Sequence, residues 1–180
     1  MTQGTELEHK FCSLDLTQTR DPMVVQGYAS LFGECDQGGD IVAHGAYGAS
    51  LTRLAASGRQ VKMLWQHDPA QPIGVWTDVF QDDRGLFVKG RLLPAVARAH
   101  EASELIAAGA IDGLSIGYRT LKSHKNAAGQ RVLTQIDLWE VSLVTFPMLP
   151  TARVAAKSQD SDWQELTDIL RQATRNLAQD

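Results

Sequence analysis

Residues 73–93 read IGVWTDVFQDDRGLFVKGRLL, and this stretch decides the fold class. Residues 73–80 and 86–93 are rich in β-branched and aromatic side chains, and the polar segment 81–85 between them ends in glycine. Two such runs around a turn segment predict a pair of antiparallel strands joined as a hairpin. Similar strand patterns lie on both sides of the hairpin, at residues 11–16, 23–32, 61–66, 111–121 and 132–145.

Helical patterns are fewer than strand patterns. Apolar residues three and four apart predict one helix at 47–56, and a second helix is expected at 96–108, after Pro94. Because about seven strands accompany only two internal helices, the sequence predicts an antiparallel β-barrel or sandwich instead of alternating βαβ units. The expected fold class is therefore mainly β with some α.

Composition restricts the class of protein. The chain has 180 residues, 43% hydrophobic and 21% charged, which is usual for one globular domain. Its 17 basic and 21 acidic side chains leave a formal charge of −4, which argues against a nucleic-acid partner. No apolar run approaches the roughly 18 residues of a membrane span, and no secretory signal is expected. Neither a disulfide scaffold nor a CxxC metal site is predicted from Cys12 and Cys35.

The two ends of the chain differ in composition from its middle. Residues 1–10 are polar and acidic and are expected to form a flexible leader, whereas 11–154 carry the strand and helix patterns of one domain. Residues 155–161 read AAKSQDS, which indicates an accessible linker. Residues 162–180 place Trp163 and several aliphatic residues along one side of a predicted amphipathic helix, which either docks onto a partner or packs on the barrel.

One predicted strand carries a serine in a setting that suits a reactive group. Ser115 lies on the opposite face from Leu114 and Ile116, and Gly113 and Gly117 stand two residues away on either side. Glycine inside a strand often marks the close approach of a ligand or another backbone, so the spacing suits a nucleophile approached by a peptide. The same glycines also suit a strand that bends at a barrel corner, and the spacing alone leaves both interpretations open.

A serine hydroxyl needs a general base before it can act as a nucleophile. Among five histidines, His67 is the best candidate because it ends an apolar strand, just before a turn expected at Asp68 and Pro69. Glu140 lies within an apolar strand, and it is expected to have a partner because an isolated buried carboxylate is costly. A structural histidine and an outward-facing glutamate are the alternative interpretations.

Metal and cofactor chemistry is disfavoured. His44, His67, Asp68 and His100 show no HExxH-like spacing, so a metal hydrolase is not expected. Residues 36–40 have two acids, Asp36 and Asp40, on either side of Gly38, but they lack the downstream glutamate of a calcium loop. The sequence therefore predicts neither a metal site nor a cofactor.

Taken together, these segments resemble the caudovirus prohead serine protease family, which is related in fold to the herpesvirus assemblins. The most specific matches are the histidine segment LWQHD at 64–68 and the serine segment IDGLSIGY at 111–118. The matching order covers residues 23 to about 154. The supporting segments are GYASLF at 27–32, GDIV at 39–42, GAY at 45–47, PIG at 72–74, GL at 85–86, GRL at 90–92 and WEVSLVTFP at 139–147.

The resemblance implies a β-barrel core surrounded by helices, as in the herpesvirus proteases, and a serine endopeptidase. It places the nucleophile on Ser115 and the general base on His67. The herpesvirus relatives use a second histidine as the third member, whereas here the strand after the serine offers Glu140. We therefore expect a Ser-His-Glu triad, with His124 and Asp137 as alternatives to Glu140.

Further expectations follow from the same resemblance. An arginine-bearing loop in the herpesvirus relatives points to Arg153 as an oxyanion-binding residue, with Gly113 and Gly117 beside the substrate. The expected substrates are scaffold protein and the scaffolding segment of the major capsid protein, cleaved inside the assembling procapsid in the host cytoplasm. The relatives also suggest a homodimer, while no nucleic-acid or membrane partner is expected. The alternative is a catalytically inactive capsid-assembly or scaffold protein with the same fold.

Self-cleavage within residues 155–161 is a testable prediction. A protease confined with its substrates commonly cuts itself, and the small polar residues of this segment make it accessible. The purified active chain should lose the residues beyond the cut, whereas the Ser115→Ala variant should keep its full-length mass. Mass spectrometry of both proteins checks this, and identical full-length masses would refute self-processing.

Overall fold

The computed structural model describes residues 8–13, 23–36 and 38–145. These residues form eight strands and two helices. In chain order the elements are β1 (Glu8–Ser13), β2 (Val24–Leu31), β3 (Asp40–Val42), α1 (Gly48–Ala56), β4 (Lys62–Trp65), β5 (Asp68–Gln81), β6 (Gly85–Leu92), α2 (Ala97–Ala107), β7 (Gly113–Lys125) and β8 (Arg131–Val144).

All of these strands belong to one curled sheet that forms a half-barrel. The strand order is β1-β7-β8-β4-β5-β6-β2, with β3 pairing β8 off this path. The prediction of a mainly β fold with two internal helices is confirmed.

The prediction that the strands are all antiparallel is wrong at two places, because β3 and β4 each run parallel to β8. Along the chain, α2 separates the β4-β5-β6 meander from the β7-β8 hairpin. In the sheet, the two units are joined by the pairing of β4 with β8. A parallel pair needs such a long crossover, and the local alternation of side chains does not record which distant strands become neighbours.

The hairpin expected at residues 73–93 is present as β5 and β6. Asp82 closes its turn, since Oδ1 accepts the backbone N–H groups of Arg84 at 2.8 Å and Gly85 at 3.0 Å. Gly85 is required there, because an added Cβ would lie 2.0 Å from the carbonyl oxygen of Ser30 on the neighbouring strand. The turn chemistry of the sequence therefore predicted this hairpin correctly.

Several boundaries differ from those predicted. β1 begins at Glu8, inside the segment expected to be a flexible leader, and β7 continues to Lys125 through residues expected to form a loop. β3 was not predicted, because three residues are too few to show an alternation. The segments 146–180, with the predicted linker, the amphipathic helix and Arg153, lie outside the described residues.

The core consists of buried aliphatic and aromatic side chains of the sheet, and residues of both helices pack in it or against it. In the centre of the sheet both faces of the strands are buried, over residues 113–118 of β7 and 140–144 of β8. Leu114, Ile116 and Val141 point to the core there. The opposite face carries polar groups, so the centre of the sheet combines an apolar side with a buried polar side.

Two expected absences concern membranes and metals. Within the described ranges, no helix is long and apolar enough to cross a bilayer. Nor do three or more metal-binding side chains gather in a group that could hold an ion, in the part of the chain that the structure describes.

An ionic cluster ties the first strand to the sheet. Arg131 of β8 donates to Glu8 of β1 and to Asp40 of β3, each at 2.5 Å. Glu8 also accepts the Thr120 backbone N–H at 3.1 Å and its hydroxyl at 2.5 Å. Desolvation acts to raise the pKa of Glu8, but the hydrogen bonds from Thr120 and Arg131 outweigh it and lower that pKa below 4.5.

Replacing Glu8 should therefore cost stability in a pH-dependent way. Glu8→Gln should lower the free energy of unfolding by about 1 kcal/mol at neutral pH, because the ion pair is partly exposed and screened. A carboxylate with a depressed folded-state pKa contributes fully above its unfolded pKa and loses that contribution as the pH falls through the folded value. Urea unfolding at several pH values should show the two proteins converging in acid.

The matched control is Glu104→Gln, at an exposed glutamate of α2. It should leave the free energy of unfolding unchanged at every pH. A Glu8→Gln deficit that stays constant from neutral to strongly acidic pH would contradict the role assigned to the Glu8 carboxylate.

Candidate active site

The β7-β8 pair brings a serine and a glutamate onto one face of the sheet. In its antiparallel register Ser115 lies opposite Ser142, and Gly117 lies opposite Glu140. Because side chains alternate along a strand, Ser115, Ser142 and Glu140 all point to the buried polar face. Ser115 and Ser142 are fully buried, and Glu140 is 3% exposed.

His67 reaches this face from the turn between β4 and β5. Trp65 pairs with Asp68, so Gln66 and His67 form a two-residue hairpin loop, with φ angles of 50° and 61°. Positive φ at both positions is what a type I′ turn requires. The turn predicted at Asp68 and Pro69 is therefore wrong, since Asp68 is already the first residue of β5.

Hydrogen bonds to β8 hold this unusual turn in place. A positive φ costs a residue other than glycine about 1–2 kcal/mol, so two successive ones need compensation. The backbone N–H of Gln66 donates to the carbonyl oxygen of Leu143 at 2.9 Å, and its side-chain amide donates to Thr145 at 2.8 Å. The backbone N–H of His67 donates to the hydroxyl of Ser142 at 3.2 Å.

The imidazole of His67 bridges the serine and the glutamate. Nε2 lies 2.6 Å from Ser115 Oγ, and Nδ1 lies 2.5 Å from Glu140 Oε1. A carboxylate at Nδ1 accepts a hydrogen bond from the Nδ1–H group, so the lone pair of Nε2 points at the serine hydroxyl and can take its proton. This is the arrangement in which a serine hydroxyl can be activated for attack on a carbonyl.

Both oxygens of the Glu140 carboxylate are engaged. Oε1 contacts His67, and Oε2 accepts the hydroxyl of Ser142 at 2.5 Å. The carboxylate fits because residue 117 is glycine, since a Cβ there would lie 2.1 Å from Oε1. The space beside Gly117 thus belongs to the acid, while a substrate contact at Gly117 or at Gly113, which begins β7, stays a prediction.

The two alternatives to Glu140 lie elsewhere. Asp137 accepts hydrogen bonds from Arg53 of α1 and from Ser50, and His124 lies near the end of β7, exposed and opposite Val132. Glu140 is therefore the one of these three that contacts His67 in the structure.

Two residues of this network were not assigned a role from the sequence. Ser142 shares its face with Glu140, so the alternation of β8 was a signal that could have identified it. Gln66 carried no such signal, because a turn with positive φ usually contains Asn, Asp or Gly.

Comparison with known proteins gives the family of this chain. The family model described as caudovirus prohead serine protease matches residues 12–165. The chain belongs to this family. The family predicted from the histidine and serine segments is therefore confirmed, and the match includes every element from β2 to β8.

The chain is also similar to one named relative in sequence and to one solved structure in fold. The prohead protease of Enterobacteria phage HK97 is 30% identical over 149 residues, which cover 81% of this chain and 65% of that relative's length. The structure of the bacteriophage T4 capsid assembly protease aligns with a TM-score of 0.63, covering 79% of this chain and 98% of that chain. Since the T4 protein is only 12% identical, this second likeness supports the fold alone.

A methyl group at residue 117 should separate the histidine from the acid. In Gly117→Ala the new Cβ would meet Oε1 and Cδ of Glu140 at 2.1 Å and 2.8 Å, so the carboxylate must move away from His67. We expect the His67 Nδ1–Glu140 hydrogen bond to be lost while the sheet stays folded. A crystal structure, or the NMR signal of the Nδ1 proton, measures this directly.

Gly48→Ala is the matched control, because its Cβ would meet only the side-chain amide of Gln81, at 3.3 Å. It should keep the imidazole–carboxylate hydrogen bond. A Gly117→Ala structure in which that bond persists would show that the glycine is not needed to seat the acid.

Proposed function

We propose that this chain is a serine endopeptidase of phage capsid maturation, with Ser115 as nucleophile, His67 as general base and Glu140 as the acid that orients the base. The observation that carries the proposal is the continuous series of contacts from the Ser115 hydroxyl through the His67 imidazole to the Glu140 carboxylate. Membership of the caudovirus prohead serine protease family supports the choice of a peptide as substrate.

The reaction follows from the positions of these three groups. As Ser115 Oγ attacks the scissile carbonyl carbon, its proton passes to His67 Nε2. When the tetrahedral intermediate collapses, His67 returns that proton to the departing amine, and the acyl group stays on the serine. Water then attacks the acyl-enzyme while His67 takes its proton. His67 returns the proton to the serine oxygen, which releases the acid product and regenerates the Ser115 hydroxyl. General base catalysis of this kind contributes about 10²–10⁴-fold.

Glu140 acts through the imidazole. Its carboxylate accepts a hydrogen bond from the Nδ1–H group, which selects the tautomer in which Nε2 can receive a proton. When His67 becomes positively charged, the carboxylate 2.5 Å away stabilises that charge in a buried setting. The acid therefore favours the charged state that forms during attack more than the resting state.

The oxyanion needs preorganised donors, and these belong to the proposal as well. Arg153 and the rest of the segment 147–153 follow the strand that carries Glu140, and they lie outside the described residues. We propose Arg153 as an oxyanion-binding residue, with Gly113 and Gly117 near the substrate backbone.

The proposed substrates are scaffold protein and the scaffolding segment of the major capsid protein, cut inside the procapsid. The name of the HK97 relative supports this, although the match spans 65% of that relative's length. Cleavage within residues 155–161, a homodimer and the absence of nucleic-acid and membrane partners stay predictions.

Removing any one of the three groups should reduce cleavage without unfolding the domain. Ser115→Ala and His67→Ala should abolish truncation of the capsid protein encoded beside this chain, when the two are co-expressed. Glu140→Gln should leave a residual rate about 10²–10⁴-fold below wild type, because the amide does not support the required tautomer. Gel and mass analysis of the capsid protein measure the loss, and thermal unfolding verifies the fold.

Ser103→Ala is the matched control, since Ser103 is a buried serine of α2, apart from the three groups. It should cut at the wild-type rate. Truncation that persists with Ser115→Ala would eliminate Ser115 as nucleophile. A wild-type chain that neither cuts nor reacts with a phosphonylating serine reagent would instead favour the inactive capsid-assembly protein.

A further inference from the structure

We propose that Ser142 is a positioning residue that holds the acid and the base of this site in register through one hydroxyl group. This inference rests on the proposed function of Ser115, His67 and Glu140. The hydroxyl of Ser142 bonds to the carboxylate of Glu140 and to the backbone of His67, so its effect passes through these two residues.

The hydroxyl of Ser142 makes two different hydrogen bonds. It donates to Glu140 Oε2 at 2.5 Å and accepts the backbone N–H of His67 at 3.2 Å. A hydroxyl has one proton to donate and two lone pairs that accept, so both bonds form at once. A single fully buried oxygen atom thereby links the side chain of the acid to the main chain of the base.

The strand pairing explains why this position can serve both groups. Ser142 lies opposite Ser115 on β7 and opposite Leu64 on β4, so it is flanked by the nucleophile's strand and by the strand that leads into the histidine turn. A serine there is two residues from Glu140 and on the same face. The location is thus the meeting point of the three segments that carry the site.

The two hydrogen bonds restrict two different movements, one of the acid's side chain and one of the base's backbone. The donation to Oε2 fixes the rotation of the Glu140 carboxylate, so that Oε1 stays aimed at His67 Nδ1. The bond from the His67 N–H fixes a residue whose φ is 61° and whose backbone would otherwise relax. Without the hydroxyl, the buried Oε2 would lose a hydrogen-bond donor, which costs free energy. The carboxylate would then be more stable if it turned away from the imidazole towards another donor.

The consequence should be a loss of rate and not of substrate binding. Ser142→Ala should lower kcat by about 10- to 100-fold, the range expected for one hydrogen bond to a charged group, while KM changes little. Ser142→Thr keeps a hydroxyl and should restore most of kcat. Ser142→Val has nearly the shape of threonine but no hydroxyl, so it should behave like alanine.

The test uses the full chain and a peptide that spans the cleavage site mapped on the co-expressed capsid protein. Ser50→Ala is the matched control. Ser50 of α1 is also fully buried, and its hydroxyl accepts the backbone N–H of Leu138 at 2.9 Å, on the strand that carries Ser142. Its loss should lower the melting temperature to a similar degree as Ser142→Ala, yet leave kcat unchanged.

The outcomes separate this inference from the proposed function. If the wild-type chain does not cleave the peptide, the proposed function itself is refuted. An active wild type with equal kcat in the threonine and valine variants, or with equal loss of kcat in Ser142→Ala and Ser50→Ala, overturns the role of Ser142. If none of the Ser142 variants folds, a crystal structure of the full chain decides, and a Ser142 hydroxyl that bonds only one of the two groups overturns the inference.

Discussion

The parallel pairing of β4 with β8 is the constraint on which the site depends. The β7-β8 hairpin alone places Ser115 near Glu140, but it supplies no base. Parallel pairing sets Leu64 beside Ser142 and carries the chain directly into the turn at His67, which therefore opens onto the polar face of β8. A shift of β4 by one residue would exchange the side chains on the two faces of the sheet and move the turn, so the imidazole would no longer lie between hydroxyl and carboxylate.

Burial of both faces at the centre of the sheet explains why the polar groups there are hydrogen-bonded to one another. A buried hydroxyl or carboxylate without a partner costs free energy, so each of these groups must be satisfied within the protein. Ser115 contacts His67, His67 contacts Glu140, and Glu140 contacts Ser142, whose hydroxyl also accepts the backbone N–H of His67. The same hydrogen bonds that meet the requirement of burial also place the groups as the proposed proton transfer needs them.

Local patterns in the sequence were sufficient for part of this picture. The hairpin of β5 and β6 and the shared face of Ser115 and its glycines follow from alternation and turn residues, which are short-range properties. The assignment of His67 and Glu140 drew on family resemblance, and only their location at strand ends or in apolar runs came from the residues themselves. The parallel pairing of β3 and β4 with β8 could not be predicted, because alternation within a strand carries no information about a partner far away in the chain.

The turn at Gln66 and His67 shows most clearly where local rules and function diverge. A type I′ turn would be most stable with Asn and Gly, and neither is present, so local preference opposes the observed backbone. The conformation persists because both residues donate hydrogen bonds to β8 or to the residue that follows it. The acceptors are Leu143, Thr145 and Ser142. Glycine at position 67 would relieve the backbone but remove the imidazole, so the local cost of this turn fits the role proposed for His67 as general base.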